Sequence, residues 1–496
     1  MGLDEYRKAS GLRLSALLTQ LQAPASFLLT CDLPNEAVLL TEKTTVTLKN
    51  IAISVELFFV LLFRTRVTVG ENFSITKHDY SYDCIREHGM MIETPVYLER
   101  YEAVSPLALE NIERMAPNSI GCVFEKLDLR DTGLINILPK LRINGDSEIG
   151  WFSVTATRRE HVAEVLAQEN PFCVGRVKNM NLEDYAVGVI TKMSLKDCGI
   201  ERLNLTAREE AHVAAVLAQK KPFCVGRVEM MWFDQYAVCV ITKMSLKDCE
   251  IESLRLYATR REHVAEVPKQ EKPFCLGRVK MMWLCEYAVG VITKMSLKDC
   301  EIGTLWLDAT RRENVAAVLA QEKPLCVGRV KSMLLEEYAV GVITKMSLKD
   351  CEFEYLSLYA SEEAHVAAVL AQENPFCVGR VKNMWLREYA VGVLTKMTIH
   401  EDNTMEEFDL AGNEDQLSGI LGEKDRSIEL GRIRLSGFEV PERIRWKLRY
   451  TLVDGEGKEV LEEESDEEVL EEESDEEEIT TSDGETSGFD DEEERS

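Results

Sequence analysis

An α/β array of tandem repeats, in which short strands and a helix recur in a fixed order, is the fold class the sequence predicts. Two observations carry it. The ten residues VITKMSLKDC occur four times unchanged, beginning at Val189, Val240, Val291 and Val342, 51 residues apart each time. Self-similarity at a long fixed period marks a repeat architecture. Within one period, residues 177–227, the same apolar frame returns three times: Val177, Met180 and Leu182; Ile190, Met193 and Leu195; Ile200, Leu203 and Leu205.

Each frame predicts a short strand with one buried face. A helix should follow the third strand. Thr259-Arg-Arg-Glu262 and Thr310-Arg-Arg-Glu313 have capping-box spacing, and Val213, Val216 and Leu217 fall on one helical face. Pro268 stands where Leu217 stands, so that copy of the helix should stop about a turn early. Pro222, Pro273, Pro324 and Pro375 close the helical segment before the next strand. First and third strands begin at 177, 200 and 228, alternating steps of 23 and 28 residues. If they share one parallel sheet, each period holds two rungs, with the second strand on the outer side of the shorter rung and the helix on that of the longer. The rival is an antiparallel three-strand meander closed by each helix.

The run Ile190-x-x-Met193-x-Leu195-x-x-Cys198-x-Ile200 resembles the leucine-rich-repeat pattern, and HVAAVLAQ followed by Val-x-x-Met-x-Leu resembles the helix-to-strand half of ribonuclease-inhibitor-like repeats. The resemblance implies a solenoid: a curved parallel sheet inside, helices and short strands outside, and a Cys or Asn satisfying backbone groups at the turn. The period departs from the 20–29 residues of a single leucine-rich repeat. Two rungs per period account for it.

Clear copies span 177–380 within a longer array over 124–440. Phe124, Leu127 and Leu129, then Leu138, Leu141 and Ile143, then Ile149, Phe152 and Val154 form a weaker unit ahead of them; Leu430, Ile433 and Leu435 continue the frame behind. Ile444, Trp446, Leu448, Tyr450 and Leu452 alternate as a closing strand would, giving a cap over 441–454. Residues 1–123 read as an N-terminal cap or degenerate repeats. Their apolar run, Ile51 to Phe63, is 13 residues long and contains Glu56, too short to cross a bilayer and better suited to a buried strand or helix. Asp4 and Glu5 occupy the place of a signal peptide's positive charge, and Tyr6 that of the Ser or Thr of a myristoylation site, so an intracellular, cytoplasmic or nuclear protein is expected.

Of the net charge of −29, residues 455–496 hold 22 acidic and 2 basic residues, leaving 65 acidic against 56 basic in residues 1–454. The segment repeats VLEEESDEE from Val460 and from Val469 and is expected to be a disordered acidic tail. Ser465, Ser474 and Ser482 each precede an acidic residue by three positions, a context suited to acid-directed kinases. Two uses of the tail stand: solubilising, or a lure for basic partners such as histones. Neither part offers a basic stripe, so direct nucleic-acid binding is not expected.

Nine of the 14 cysteines recur with the repeat: Cys173, Cys224, Cys275, Cys326 and Cys377 in one phase, Cys198, Cys249, Cys300 and Cys351 in the other. They read as small buried thiols. Each repeat also carries a helical His (His212, His263, His365), but Asn314 replaces it in one copy and no CxxC pair occurs, so no metal site is expected. No nucleophile–base set or phosphate loop appears, and no enzyme activity or cofactor is expected.

The copies differ where a partner could touch them. The middle strand is constant, including Thr191, Lys192, Ser194, Lys196 and Asp197, which are expected at the surface. Strands one and three vary at non-frame positions, among them Trp232, Trp283, Trp306, Trp385, Arg255, Tyr257, Tyr355 and Tyr359. Trp, Tyr and Arg dominate binding hot spots, and these eight are the candidate partner-binding residues. Neutral drift after duplication explains exposed variation but not the constancy of the exposed middle positions. The function expected is a protein–protein interaction scaffold. The alternative is a regulator acting through its tail, histone-binding or resembling the Ran GTPase activators, which carry Asn where this chain has Cys.

Overall fold

The computed structural model describes residues 23–460, apart from 33–36, 78–83, 90–94, 102, 144–146 and 197. Ser465, Ser474, Ser482 and most of the acidic tail lie outside the described residues. Among the described residues, one parallel sheet of 14 strands dominates, and its order in space is its order in the chain. The strands are β1 (Val96–Arg100), β2 (Phe124–Arg130), β3 (Glu148–Ala156), β4 (Arg176–Asp184), β5 (Gly199–Ala207), β6 (Arg227–Gln235), β7 (Leu246–Ala258), β8 (Leu276–Glu286), β9 (Glu301–Ala309), β10 (Arg329–Glu337), β11 (Glu352–Ala360), β12 (Arg380–Glu388), β13 (Glu407–Ala411) and β14 (Phe438–Glu439).

Register fixes the two-step period. Met180 on β4 pairs with Leu203 on β5, and Leu203 with Met231 on β6, steps of 23 and 28 residues. Residues 177–182 therefore lie parallel beside the third strand of the period rather than antiparallel to 190–195. The nine frame residues of that period are at most 6% exposed, so one face of the sheet is covered along its length. The result is an α/β fold of repeated strand–connector–strand–helix units, compatible with a repeat solenoid.

The second strand of each period is mostly not a strand. Residues Tyr185–Lys192 form a 3-10 helix, and only Met193–Ser194 is extended, paired in parallel with Phe172–Cys173. The apolar spacing explains the difference: Val187, Ile190 and Met193 recur every third residue, which suits a three-residue turn as well as a strand. Entry into the connector needs a residue with positive φ. Asp184, Gln235, Glu286, Glu337 and Glu388 hold it, with φ between 54° and 60°, a region that costs a non-glycine residue about 1–3 kcal/mol. The acidic side chains among them reach the start of the next helical segment. Asp184 accepts from the Arg208 backbone at 3.3 Å and Glu337 from the Ser361 backbone at 3.2 Å.

Eight-residue helices follow four of the strands, Glu210–Leu217, Arg312–Leu319, Glu363–Leu370 and Glu414–Leu421. Thr310 does not cap its helix; its hydroxyl donates to Glu286 at 2.7 Å. The helix starts later, and the third helical residue reaches back instead. His212 Nδ1 accepts from the Glu209 amide at 3.2 Å, His365 Nδ1 from Glu362 at 3.2 Å, and Asn314 Oδ1 from Arg311 at 2.8 Å. His212 Nδ1 also lies 3.1 Å from Asp184 Oδ1, and an unprotonated nitrogen cannot serve both. Accepting from the amide is the role Asn314 reproduces.

The copy with Pro268 loses its α-helix altogether, leaving the 3-10 turn Arg261–Val264. Among the other changes in the same repeat, two concern the contact between connector and helix. Cys239 replaces the connector glycine found at Gly188, Gly290 and Gly341, and Glu266 replaces Ala215, Ala317 and Ala368. A Cβ on Gly341 would lie 3.2 Å from that of Ala368. Where no helix packs there, Cys239 fits, its thiol donating to the His263 carbonyl at 3.1 Å. Burial pushes that thiol up to about 11.

Outside the long sheet, the run from Ile51 divides into a buried strand, Ile51–Ser54, and a helix, Val55–Arg64, with Ser54 accepting from the Leu57 amide at 3.2 Å. At the other end, Ile428–Arg434 leaves the long sheet to pair in parallel with Leu448–Val453 and Thr404–Met405. Leu430 and Ile433 are buried, whereas Leu435 is 50% exposed and starts a turn. The expected alternation is likewise partial: Ile444 sits in a short helix, Trp446 is 51% exposed, and the strand begins at Leu448. No helix among the described residues is long and apolar enough to cross a membrane.

Candidate interaction surface

Non-frame residues of β2–β13 form the uncovered face of the sheet, and register arranges them in three rows. The middle row runs Asn204, Trp232, Arg255, Trp283, Trp306, Leu334, Ser357 and Trp385 across successive strands β5 to β12. Five of the eight candidate residues stand in it. Tyr355 belongs to the row towards the strand starts, beside Asn383, and Tyr257 and Tyr359 to the row towards the strand ends, beside Asp234 and Arg387 respectively. All eight thus share one face. The five residues of the middle row and Tyr257 are half-buried; Tyr355 and Tyr359 are exposed.

The half-buried rings lean on one another. Trp283 and Trp306 meet edge to face with centroids 5.1 Å apart, and Tyr355 lies 5.7 Å from Trp385. Arg202 sits over Trp232 at 4.9 Å and Arg255 over Tyr257 at 5.6 Å. Such contacts hold the aromatic and guanidinium groups in place. The packing is imperfect in polar terms: the indole nitrogens of Trp283 and Trp385 and Nε of Arg202 and Arg255 are buried without a hydrogen-bond partner.

Beside the aromatic row lies an acidic stretch absent from the sequence expectations. Asp308 on β9 pairs in register with Glu336 on β10, and the strand-end residues Glu286 and Glu337 belong to the same cluster. Burial, then Glu286 and Glu337, raises the Asp308 carboxyl above the usual range; burial, then Asp308, raises Glu336, against a hydrogen bond from Trp306. Asp234 is also raised by burial, with Arg255 pulling the other way. A signal was available: Asp308 stands at a position that varies between copies, and Asp234 and Glu336 occupy the equivalent place in strand one, two residues past the Trp232 position.

The constant stretch is free surface only in part: Ser194 is exposed, whereas Thr191 and Lys192 are half-buried. Lys192, Lys243, Lys294, Lys345 and Lys396 each donate through Nζ to a carbonyl 24 residues back, from Gln168, Gln219, Gln270, Gln321 and Gln372, at 2.6–3.0 Å. Gln219, Gln321 and Gln372 directly follow the C-caps of their helices, so these lysines cap carbonyls the helix leaves open and place a cation at its negative end. Thr191 and its equivalents Thr293 and Thr344 bond the connector glycine's carbonyl at 2.8–2.9 Å. Lys196, by contrast, is exposed.

The cysteine reading needs correction. Cys198 and Cys300 are buried and donate to backbone carbonyls of Gly175 and Leu276 at 2.8 Å, but Cys249 and Cys351 are half-buried, and Cys173, Cys224, Cys275 and Cys326 are exposed. In the last repeat Asn403 takes over the turn, exchanging two 3.0 Å hydrogen bonds with the Val381 backbone. Compared with known proteins, the chain matches no family model, no curated protein and no solved structure.

Proposed function

We propose that this protein is a non-enzymatic recognition scaffold, a solenoid of the leucine-rich-repeat, ribonuclease-inhibitor-like kind, whose inner sheet face binds another protein. The observation that carries the binding reading is the unbroken register of Trp232, Arg255, Trp283 and Trp306 on the uncovered face. Residues of these types, pre-packed and central in a large surface, are those that dominate interfaces. Turn residues Cys198, Cys300 and Asn403, each bonded to backbone, support the leucine-rich-repeat reading. Exposed free thiols suit a reducing compartment, the cytoplasm or nucleus.

Alanine at Trp283 or Trp306 should weaken a true partner by about thirtyfold or more while leaving the melting transition in place, since truncated hot spots cost about 2 kcal/mol or more. Partners recovered on the full chain would be compared with those on the two variants and on a 1–454 truncation. Indifference to both Trp changes, with all binding lost on truncation, would instead assign recognition to the acidic tail, whose net charge is −20 over 455–496.

A further inference from the structure

The uncovered face carries a charge pattern that specifies more than a protein partner. Asp308, Glu336 and Glu286 have no Lys or Arg within ion-pair distance among the described residues, while Glu337 faces the ring of His365 at 2.5 Å and accepts from the Ser361 hydroxyl and amide. Glu286 accepts from Thr310, and Glu336 is hydrogen-bonded to Trp306. Four carboxylates are therefore gathered at the ends of β8 to β10, partly withdrawn from water and uncompensated, next to the row of indoles.

We propose that this face takes an extended, lysine- or arginine-rich polypeptide segment, its cations received by Asp308 and Glu336 and its backbone lying along the aromatic row. The inference rests on the reading of this face as the binding surface. Charge excludes the nearest alternatives. The chain's own tail is strongly acidic, a second copy of the array is acidic too, and a nucleic acid would bring phosphates to carboxylates. Geometry sizes the occupant. From Trp232 on β6 to Trp385 on β12 are six strand steps, about 29 Å at ~4.8 Å each, which an extended chain covers in about nine residues. Asp308 and Glu336 are one strand step apart, so two basic residues on the same side of such a segment, i and i+2, reach both. The buried donors of Trp283 and Trp385 lack acceptors in the free protein, and the carbonyls of a segment laid beside them supply acceptors once the indoles turn.

The test is selection of random dodecapeptides on the full-length protein, followed by affinity measurement against Trp283→Ala and the Asp308→Asn/Glu336→Gln double variant. Melting curves verify folding, and each single isosteric change stands in if the double variant is unfolded. Expected are enriched peptides with paired basic residues, whose affinity falls tenfold or more in both variants and on replacing the peptide's basic residues by serine. Enrichment of neutral or acidic peptides that still depend on Trp283 overturns the basic-segment proposal and leaves the face as a binding surface. Basic peptides insensitive to both variants but lost when residues 461–496 are removed overturn both readings. No enrichment overturns the proposal.

Discussion

Lys345 shows how one side chain can fix a repeat's sequence. Its ammonium bonds the Gln321 carbonyl at 3.0 Å, just past the C-cap of Arg312–Leu319, and the same contact recurs at Lys192, Lys243, Lys294 and Lys396. Lys345→Met should cost about 1–3 kcal/mol, because a partly buried carbonyl loses a charged donor, whereas Lys196→Ala should stay within about 0.5 kcal/mol as a surface change; urea unfolding of the two variants checks this. Asp308 gives a pH signature of opposite sign. Burial and then the Glu286 and Glu337 carboxylates raise its acid in the folded state, so stability falls as pH climbs from the unfolded value to the folded one and stays lower above it. The penalty vanishes below about pH 3, where the unfolded carboxyl, of ordinary value ~3.9, is protonated too. Asp308→Asn should therefore raise the melting temperature at pH 7 and leave it unchanged near pH 3, with Glu336, whose carboxyl is also raised by burial and by Asp308, contributing alike in wild type at pH 7.

At the scale of elements, what could be foreseen from the sequence was whatever a single period specifies. The frame Val177, Met180, Leu182 and the steps of 23 and 28 residues fix the parallel register because slipping by one residue would expose every frame side chain. The connector was misjudged because Ile190-x-x-Met193 fits a 3-10 turn as well as a strand, and no residue-level pattern separates them. The lysine and histidine contacts were invisible for other reasons: the lysines reach carbonyls 24 residues back, a separation sequence spacing does not reveal, and the histidines bond a backbone amide three residues earlier only because the helix starts later than the Thr-Arg-Arg-Glu spacing suggests. Asn314 was the available clue, since Asn and a neutral His share an acceptor for a backbone amide and share no preference as zinc ligands. The packing of connector on helix makes its own prediction. Gly341→Cys puts a thiol against Ala368 on an intact helix and should cost about 1–3 kcal/mol by overpacking. Cys239→Gly, where Pro268 has already removed the helix, should cost no more than about 1 kcal/mol. Equal losses in thermal unfolding would mean that the helix does not dictate the glycine.

Over the whole molecule, the 14 strands of the long sheet pair with their chain neighbours alone, so stability should be distributed as in a one-dimensional array, each repeat held by its own packing and its two interfaces. Leu246, 1% exposed at the start of β7, lies near the middle. Leu246→Ala removes buried methyl groups and leaves a cavity, a change that costs about 2–5 kcal/mol. In a single cooperative globule that loss would raise amide exchange everywhere that exchanges by global unfolding. In an array it is felt first by the repeats sharing the interface. Hydrogen exchange should therefore quicken in β6, β7 and β8, while β2 and β3 at one end and β12 and β13 at the other keep the protection they had. The Trp283–Trp306 contact, between β8 and β9, falls at the border of the weakened region, so binding at the aromatic row should weaken in step with local opening there. Uniform acceleration from β2 to β13 would show that the sheet unfolds as one unit and that its repeats are not independent carriers of stability.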